Sequence, residues 1–309
     1  VVGFVDDDPT KQGLYIEGCP VLGTRADIPR LAEAHNADLI VLAIYNISGP
    51  AFREILAYCE STKARIKAAP DIFALMNDRH GVSLLRDVHA EDFFLGRKSI
   101  DRHEGVDLEP VTNRTILVTG AAGSIGSELS RQLLAYDPVA LILLDNNESD
   151  LHDLVTELNP KAAQTKLVPV LADITNEEAL SRVFTRHRPQ VVFHTAAYKH
   201  VPMLESFPNE AVRVNILGTW QIARLARDNG AERFVLISTD KAVNPSSVMG
   251  ASKRVCELLM HALSRQGEHQ TLFTSVRFGN VLGSRGSVVP TFRQQIENGG
   301  PVTVTDKDM

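Results

Sequence analysis

The chain has 309 residues, with 32 Lys and Arg against 38 Asp and Glu and a net charge of −6, so it lacks the basic excess typical of nucleic-acid binding. Its length predicts two domains at roughly 100 to 200 residues each. Three widely separated cysteines without CxxC spacing indicate neither a disulfide framework nor a zinc site. No apolar run approaches the roughly 18 to 20 residues that cross a bilayer, so we expect a soluble segment.

The first predicted domain, residues 1–77, alternates strand-like and helical patterns, which indicates a small parallel, Rossmann-like α/β unit. The strand runs are 1–5, 38–44 and 64–69, and the helical patterns are 26–36 and 50–63. The opening VVGFVDDDP resembles the second strand of a βαβ unit, so we expect the first strand to be missing. Residues 78–113 are rich in charge and lose periodicity, and we assign them as a linker.

The second predicted domain, residues 114–309, repeats a βα pattern typical of a doubly wound parallel sheet, the Rossmann fold, which binds ligands at the carboxyl ends of its strands. The predicted strands are 115–119, 140–144, 167–171, 190–194, 233–237 and 272–276, and helices are predicted near 176–187, 208–229 and 248–265. The final PVTVTDKDM, residues 301–309, also reads as a strand, and we expect the domain to be truncated there.

A glycine-rich turn follows the first strand of this domain. Gly120, Gly123 and Gly126 flank Ser124 and Ile125 in the motif GAAGSIG. Such glycines permit a tight turn, close approach of backbone to a pyrophosphate and close helix packing, while the helix N-terminus offers N–H donors. The motif predicts dinucleotide binding, and the alternative is a purely structural turn.

Two acidic residues extend the predicted cofactor site. Asp145 follows Gly126 by 19 residues at the end of the second strand, the offset of an acid that binds the adenosine ribose 2′-hydroxyl. A carboxylate there would repel a 2′-phosphate, which favours NAD over NADP. Asp173 follows the third strand, where it either belongs to a helix N-cap region or binds the adenine edge.

The segment TAAYKH follows the fourth strand. Ala196 and Ala197 are small enough for a nicotinamide ring to approach, and Tyr198 is assigned with them to the cofactor site. Lys199 and His200 are expected to face a phosphate or sugar, with a solvated surface as the alternative. His194 and His200 lack the further ligands of a credible metal site, so no metal is predicted.

The motif STDK ends the fifth strand and carries the predicted acid and base. Ser238 and Thr239 could hold a substrate hydroxyl, while Asp240 and Lys241 place an acid beside a potential base. Adjacent opposite charges are otherwise typical of a solvated loop. Four residues before Lys253, where a short-chain dehydrogenase carries tyrosine, this chain has Met249.

The glycine-rich run RFGNVLGSRGSVVP follows the last strand of the pattern. Asn280, Arg285 and Ser287 lie in it, and an arginine among exposed backbone suits a diphosphate. We assign the three residues to substrate binding, with an ordinary loop as the alternative.

Taken together, TGAAGSIGSEL, AAYKHVPMLE, STDKAVNP, VMGASKR and FGNVLGSRGSVVP resemble the bacterial UDP-N-acetylglucosamine 4,6-dehydratases of the capsular-polysaccharide (CapD-like) branch of the extended short-chain dehydrogenases. The resemblance is strong over about 114–309, and GFVDDDP and GCPVLGT resemble the extra domain of its large, membrane-anchored type. This chain resembles that type in carrying methionine, Met249, where the smaller members keep tyrosine.

The resemblance implies the conversion of UDP-GlcNAc to a UDP-4-keto-6-deoxy sugar, with NAD reduced and reoxidised within one turnover. Thr239 would hold the C4 hydroxyl, Asp240 would protonate the departing C6 hydroxyl and Lys241 would remove the C5 proton. Lys253 would bind the nicotinamide ribose. Related dehydratases acting on another sugar nucleotide carry glutamate where this chain has Lys241, which favours the UDP-GlcNAc branch.

The resemblance further implies an upstream membrane anchor at the cytoplasmic face of the bacterial inner membrane, and a homo-oligomer is expected. Two rival hypotheses remain. A UDP-sugar 4-epimerase or reductase would use the nicotinamide without an acid–base pair for C5 and C6. A catalytically inactive NAD-sensing scaffold would explain the missing tyrosine, although the presence of STDK and Lys253 argues against it.

Overall fold

The computed structural model describes residues 1–44, 47, 49–69, 86–87, 109–265, 270–281, 284 and 286–304. Contacts divide the chain into two compact units, Val1–Glu104 and Gly105–Met309. Most of the predicted linker at 78–113 lies outside the described residues, so its boundaries stay a prediction. Within the described ranges, no helix combines the length and apolarity needed to cross a membrane.

The described part of the first unit contains two small three-stranded sheets and two α-helices. In one sheet the central strand is β3 (Cys19–Gly23), which pairs in parallel with β1 (Phe4–Val5) and antiparallel with β2 (Tyr15–Ile16). In the other the central strand is β5 (Arg65–Ala68), which pairs in parallel with β4 (Leu39–Leu42) and antiparallel with β6 (Arg86–Asp87). The helices are α1 (Ile28–Ala34) and α2 (Gly49–Glu60). The predicted strands and helices are present, but β1 lies in one sheet and β4 and β5 in the other. The apolar pattern did not indicate β3 or the antiparallel strands β2 and β6.

The second unit is built on six parallel strands in the order β12-β11-β10-β7-β8-β9. Their bounds are β7 (Thr115–Thr119), β8 (Ala140–Asp145), β9 (Lys166–Leu171), β10 (Val191–His194), β11 (Arg233–Thr239) and β12 (Leu272–Phe278). The direction of winding reverses between β7 and β10, which is where doubly wound sheets open a ligand crevice. The predicted Rossmann fold is confirmed.

Helices cover both faces of this sheet. They are α3 (Ser124–Leu134), α4 (Glu148–Leu158), α5 (Glu177–His187), α6 (Val201–Ser206), α7 (Pro208–Glu210), α8 (Thr219–Asp228), α9 (Val248–Arg265) and α10 (Val288–Glu297), with a π-helical segment at Ala211–Gly218 between α7 and α8. The helix predicted at 208–229 is therefore interrupted. Residues 301–304 form no strand, and 305–309 lie outside the described residues.

Alternation along β8 explains the two-layered core. Leu141 and Leu143 pack in the cluster that contains α3 and α4 residues, whereas Ile142 and Leu144 pack in the cluster of α5 and α8. Both faces are buried because successive strand side chains point to opposite sides. Each fully buried aliphatic side chain contributes about 1.5 to 3 kcal/mol to the stability of the fold. The buried core therefore holds the carboxyl ends of the central strands in place.

Candidate active site

The glycine turn after β7 has the geometry that the sequence predicts. Gly120 has φ +65°, and a Cβ built there would lie 2.7 Å from the Ala196 Cα atom. A Cβ at Gly126 would lie 2.1 Å from the Gly120 carbonyl oxygen. Both positions require glycine, the first for its backbone conformation and the second for close packing of α3 against the turn.

Gly123 plays a different part in the same loop. It is the N-cap of α3, and no side chain caps that helix end. A Cβ there would come near only the Gly120 carbonyl oxygen, at 3.3 Å. The first turn of α3, which holds Ser124 and Ile125, therefore begins at the carboxyl edge of the sheet, and no side chain covers the backbone of Gly123 there. This arrangement fits the pyrophosphate of a dinucleotide, because helix N-termini attract anions.

Asp145 fastens the glycine loop to the end of β8. Its Oδ2 atom accepts a hydrogen bond from the Ala122 amide at 2.9 Å, and its Oδ1 atom accepts one from the Asn147 amide at 3.0 Å. The side chain is 9% exposed. A carboxylate has about four acceptor sites, so Asp145 can also accept a hydrogen bond from a ribose hydroxyl.

Asp173 shapes the turn before α5. Its Oδ1 atom accepts hydrogen bonds from the amide and the hydroxyl of Thr175, both at 2.8 Å. The N-cap of α5 is Asn176, whose side chain accepts from the Ala179 amide. Asp173 therefore precedes the cap instead of forming it, and binding of the adenine edge stays a prediction.

A buried asparagine supports the segment after β10. The Asn215 side chain accepts from the Tyr198 amide at 2.8 Å and donates to the Tyr198 carbonyl at 3.1 Å and the Ser252 hydroxyl at 3.0 Å. It thereby joins the segment of Ala196, Ala197 and Tyr198 to α9. The sequence analysis missed this residue, although an asparagine inside the apolar run AVRVNILG was a signal.

His194 is a structural residue. It is fully buried, with its ring nitrogens 2.7 Å from the Thr119 hydroxyl and 2.9 Å from the Thr219 hydroxyl. Burial, and then the charge of Lys253, lowers the pKa of His194 to about 3, so the ring is neutral. Among the described residues, no three or more His, Cys, Asp or Glu side chains cluster as metal ligands.

The end of β11 brings together the predicted acid and base. Asp240 Oδ1 accepts from the Thr239 hydroxyl at 2.9 Å and from the Lys241 ammonium at 3.2 Å. The hydrogen bond from Thr239 and then that from Lys241 lower the pKa of Asp240. The carboxyl group is therefore ionised at neutral pH. The Lys241 Nζ atom also donates to Asn280 Oδ1 at 2.9 Å.

Ser238 corrects one expectation. Its hydroxyl is buried and donates to Glu257 Oε1 on α9 at 2.7 Å, so it is not a binder of substrate hydroxyls. Glu257 also accepts from Arg277 at 2.7 and 2.6 Å and from Arg254 at 3.0 Å. Because side chains alternate along β11, Ser238 points away from the face that Thr239 occupies.

Helix α9 carries Met249 and Lys253 one turn apart, on the same side. Met249 is 5% exposed and packs in an apolar cluster with Leu204 and Ala211. Lys253 is 8% exposed, and its Nζ atom donates to the Ile237 carbonyl at 3.0 Å. Burial lowers the pKa of Lys253. The lysine thus contacts β11 near its carboxyl end, and binding of the nicotinamide ribose stays a prediction.

The remaining predicted substrate residues lie on the segments that follow β10 and β12 in the sequence. Lys199 and His200 are exposed, and a Cβ on Gly286 would lie 2.9 Å from the His200 ring, so the segment after β12 approaches the segment after β10. Ser287 is the N-cap of α10. Arg285 lies outside the described residues, and its role stays a prediction.

Comparisons with known proteins agree with this architecture. Residues 116–309 match the family described as polysaccharide biosynthesis protein. The chain is 43% identical over 307 residues to the capsular polysaccharide biosynthesis protein CapD of Staphylococcus aureus, covering 99% of this chain and 51% of that protein. The chain thus spans about half the length of the curated relatives it matches.

Two further matches concern nucleotide-sugar enzymes. A UDP-glucose 4-epimerase of Rickettsia rickettsii is 35% identical over 202 residues, covering 64% of this chain and 58% of that protein. A solved dTDP-glucose 4,6-dehydratase of Streptomyces venezuelae, with NAD bound, is 26% identical with a TM-score of 0.52, covering 60% of this chain and 63% of that chain. The second match supports the Rossmann architecture of the extended short-chain dehydrogenases.

Proposed function

Because the chain belongs to the polysaccharide biosynthesis protein family, we propose that it is an NAD-dependent nucleotide-sugar 4,6-dehydratase that converts UDP-N-acetylglucosamine to a UDP-4-keto-6-deoxy sugar. The observation that carries the proposal is the pairing of Asp240 and Lys241, whose Oδ1 and Nζ atoms lie 3.2 Å apart at the carboxyl end of β11. An acid and an amine at this edge suit a reaction that moves several protons.

The residues that would hold NAD are those whose geometry fits a dinucleotide. The Gly120–Gly126 turn and the start of α3 would face the pyrophosphate, Asp145 the adenosine ribose, and Lys253 the nicotinamide ribose. When bound, NAD would supply the hydride chemistry, taking a hydride from C4 of the sugar and returning it to C6.

Asp240 is the proposed acceptor of the C4 hydroxyl proton. Met249 has only a weak acceptor sulfur and packs among apolar side chains, so another group must do the work of the missing tyrosine. Asp240 is ionised because Thr239 and Lys241 lower its pKa, and its hydrogen bond with the Thr239 hydroxyl offers a route to the C4 hydroxyl.

Elimination then uses both members of the pair. Once C4 is a ketone, the C5 proton is acidic, and Lys241 in its neutral form takes it. Asp240 gives the proton received from the C4 hydroxyl to the C6 hydroxyl, which leaves as water and creates a C5–C6 double bond. A proton returned by Lys241 to C5 completes the product. The sugar loses one water in total, and no external oxidant or reductant is consumed.

One incubation separates this proposal from its rivals. Purified protein would be mixed with NAD and UDP-N-acetylglucosamine, and the nucleotide sugars would be weighed by mass spectrometry. The dehydratase gives a product lighter by one water. A 4-epimerase, the function named for the rickettsial relative, gives an isomer of equal mass, and a scaffold leaves the substrate unchanged; either of these results would refute the proposal.

For the whole protein, the resemblance supports membrane anchoring at the cytoplasmic face of the bacterial inner membrane, and we expect a homo-oligomer. We include both in the proposal. Cell fractionation with an antibody against this chain tests the first, and light scattering of the purified protein tests the second. Recovery of the whole protein from the supernatant after membranes are pelleted, or a monomeric mass, would contradict them.

A further inference from the structure

We propose that Glu257 is a positioning residue that holds α9 against the end of β11 and so sets the place of Lys253, the residue proposed to bind the nicotinamide ribose. This inference rests on the proposed function, because it takes that role of Lys253 from it. It gives Glu257, which lies outside the reacting groups, a part in cofactor binding as well as in stability.

The carboxyl end of β11 extends past one of its two neighbouring strands. Pairing of β10 with β11 ends at Leu236, whereas pairing of β12 with β11 continues to Thr239. Residues 237–239 therefore have a strand beside them on the β12 side, and they lead directly into Asp240 and Lys241. Helix α9 supplies further contacts to this extended end.

Two side chains of α9 contact successive residues of β11. The Lys253 Nζ atom donates to the Ile237 carbonyl at 3.0 Å. One turn further along the helix, Glu257 Oε1 accepts from the Ser238 hydroxyl at 2.7 Å. Residues four apart lie on the same side of a helix, so the two bonds together fix the position of α9 along the strand. A helix that slid along β11 would break both.

Arg277 extends this attachment to β12. It is level with Ser238 in the pair of β11 and β12, and its Nε and Nη2 atoms donate to Glu257 Oε1 at 2.7 Å and Oε2 at 2.6 Å. A contact through two parallel hydrogen bonds holds the carboxylate in one orientation. Because the Glu257 side chain is only 7% exposed, water competes little for it. One carboxylate thus joins α9 to two neighbouring strands.

Stability alone is a poor reason for a buried carboxylate at this place. Replacing a buried ion pair by well-packed apolar side chains is often neutral or stabilising. Apolar contacts are not directional, and they would let a helix take several positions along a sheet. The hydrogen bonds of Glu257 are directional and select one position, which is what Lys253 needs if its amine is to meet a ribose.

The charge of Glu257 acts in the same sense as its position. Burial lowers the pKa of Lys253, and the neighbouring Cys256 and Glu257 oppose that shift. Glu257 therefore favours the charged amine, which has three N–H donors. One of them is used by the Ile237 carbonyl, and the charged form keeps two for the hydroxyl oxygens of a ribose.

Three ligands with a common part test the inference. NAD, ADP-ribose and ADP share adenosine and two phosphates, but ADP lacks the second ribose that Lys253 would bind. Calorimetric titration of Glu257→Gln should show NAD and ADP-ribose weakened by about 10-fold or more, the effect of losing hydrogen bonds from a charged group. Binding of ADP should be unchanged. The ratio of ADP-ribose to ADP affinity is measured on one sample, so partial misfolding does not alter it.

Two further variants separate position from charge. Ser238→Ala keeps the carboxylate and removes its bond to β11, so it should lower the ratio of ADP-ribose to ADP affinity by about 3- to 10-fold. Arg254→Ala is the matched control. Arg254 donates to Glu257 Oε2 at 3.0 Å from α9 itself, so its loss leaves the attachment of the helix to the strands intact, and the ratio should not change.

A double-mutant cycle tests whether Glu257 acts through Lys253. Lys253→Ala should remove most of the advantage of ADP-ribose over ADP, and adding Glu257→Gln to it should lower that ratio no further. A further loss in the double variant would overturn the inference. So would equal weakening of ADP and ADP-ribose by Glu257→Gln, because Glu257 would then support only the fold.

The ligand ratios also separate this inference from the proposed function. If the unaltered protein removes no water from UDP-N-acetylglucosamine, the proposed function fails, but the ratios still decide whether Glu257 positions Lys253. If the unaltered protein binds ADP-ribose no more tightly than ADP, Lys253 does not hold that ribose and the inference is refuted. The expected result is an advantage of ADP-ribose that Glu257→Gln and Ser238→Ala lower and Arg254→Ala preserves.

Discussion

The Thr239 hydroxyl donates a hydrogen bond to Asp240 Oδ1 at 2.9 Å, where β11 ends. This contact is the largest cause of the lowered pKa of Asp240, followed by the hydrogen bond from Lys241. Asp240 is therefore ionised at neutral pH and can accept a proton as a base. Only after it has accepted that proton can it act as an acid.

Asp240→Asn should therefore lose two activities together. An amide can neither take the C4 hydroxyl proton nor protonate the C6 hydroxyl, so cofactor reduction and loss of water should each fall at least about 100-fold. Single-turnover absorbance of the reduced nicotinamide and mass spectrometry of the sugar measure the two steps. If reduced cofactor forms at the normal rate and only water loss fails, another group accepts the C4 proton.

Met249 offers a test of the missing tyrosine. Its side chain packs with Leu204 and Ala211, so Met249→Leu, which nearly conserves volume, should reduce the free energy of unfolding by less than about 1.5 kcal/mol and keep most activity. Met249→Ala should destabilise the fold by about 2 to 5 kcal/mol. Urea denaturation and turnover check both variants. A large loss of turnover in a stable Met249→Leu protein would show that the thioether participates in the reaction.

Asp145 should determine the choice of dinucleotide. The unaltered protein should bind NAD more tightly than NADP, because a 2′-phosphate would meet a carboxylate. Asp145→Asn should weaken NAD binding by about 10-fold or more, the effect of removing a hydrogen bond to a charged group, and should reduce the preference for NAD. Calorimetric titration compares it with Asp153→Asn, an exposed position on α4. Equal affinity of the unaltered protein for NADP would refute the role of Asp145.

The lowered pKa of Glu257 predicts that the stability of the fold depends on pH. The hydrogen bond from Arg277, then those from Ser238 and Arg254, lower the pKa of Glu257 to about 2 from its ordinary 4.5. A carboxyl group whose pKa is lowered on folding stabilises the fold above its unfolded pKa, and the effect is lost as pH falls towards its folded pKa. Glu257→Gln should reduce the free energy of unfolding by about 2 to 3 kcal/mol at neutral pH.

Urea denaturation at a series of pH values tests that sign. The difference between the unaltered protein and Glu257→Gln should shrink as pH falls below about 4.5. Glu178→Gln is the control, because the ion pair of Glu178 with Arg182 is exposed, and such pairs contribute about 0 to 1 kcal/mol. A difference that stays constant or grows at low pH would contradict the assignment.

Apolar runs and glycine spacing predicted the sheet because its central strands are buried on both faces and two of the glycines meet steric demands. The run TILVT became β7 without a change of bounds, and Gly120 and Gly126 are required by neighbouring backbone. Ser238 and Asn215 were not predictable in the same way. Their partners, Glu257 and Tyr198, are 19 and 17 residues away in sequence, and only the folded chain brings them together.

The π-helical segment and the short antiparallel strands of the first unit escaped prediction for a related reason. The apolar pattern of Ala211–Gly218 indicates a helix without distinguishing a π-helix from an α-helix, and the departure from α-helical geometry accompanies the inward side chain of Asn215. Strands of two residues, such as Tyr15–Ile16, carry too short a pattern for periodicity to show.

The central claim is that Lys241 removes the C5 proton of a nucleotide sugar, and solvent exchange tests it most directly. Unaltered protein turning over UDP-N-acetylglucosamine in deuterium oxide should yield a 4-keto-6-deoxy product with deuterium at C5. Lys241→Ala should lower both that exchange and turnover by at least about 100-fold. Asn298→Ala, which alters an exposed asparagine at the end of α10, is the control and should exchange normally. Near-normal deuterium incorporation and turnover in Lys241→Ala would contradict the account.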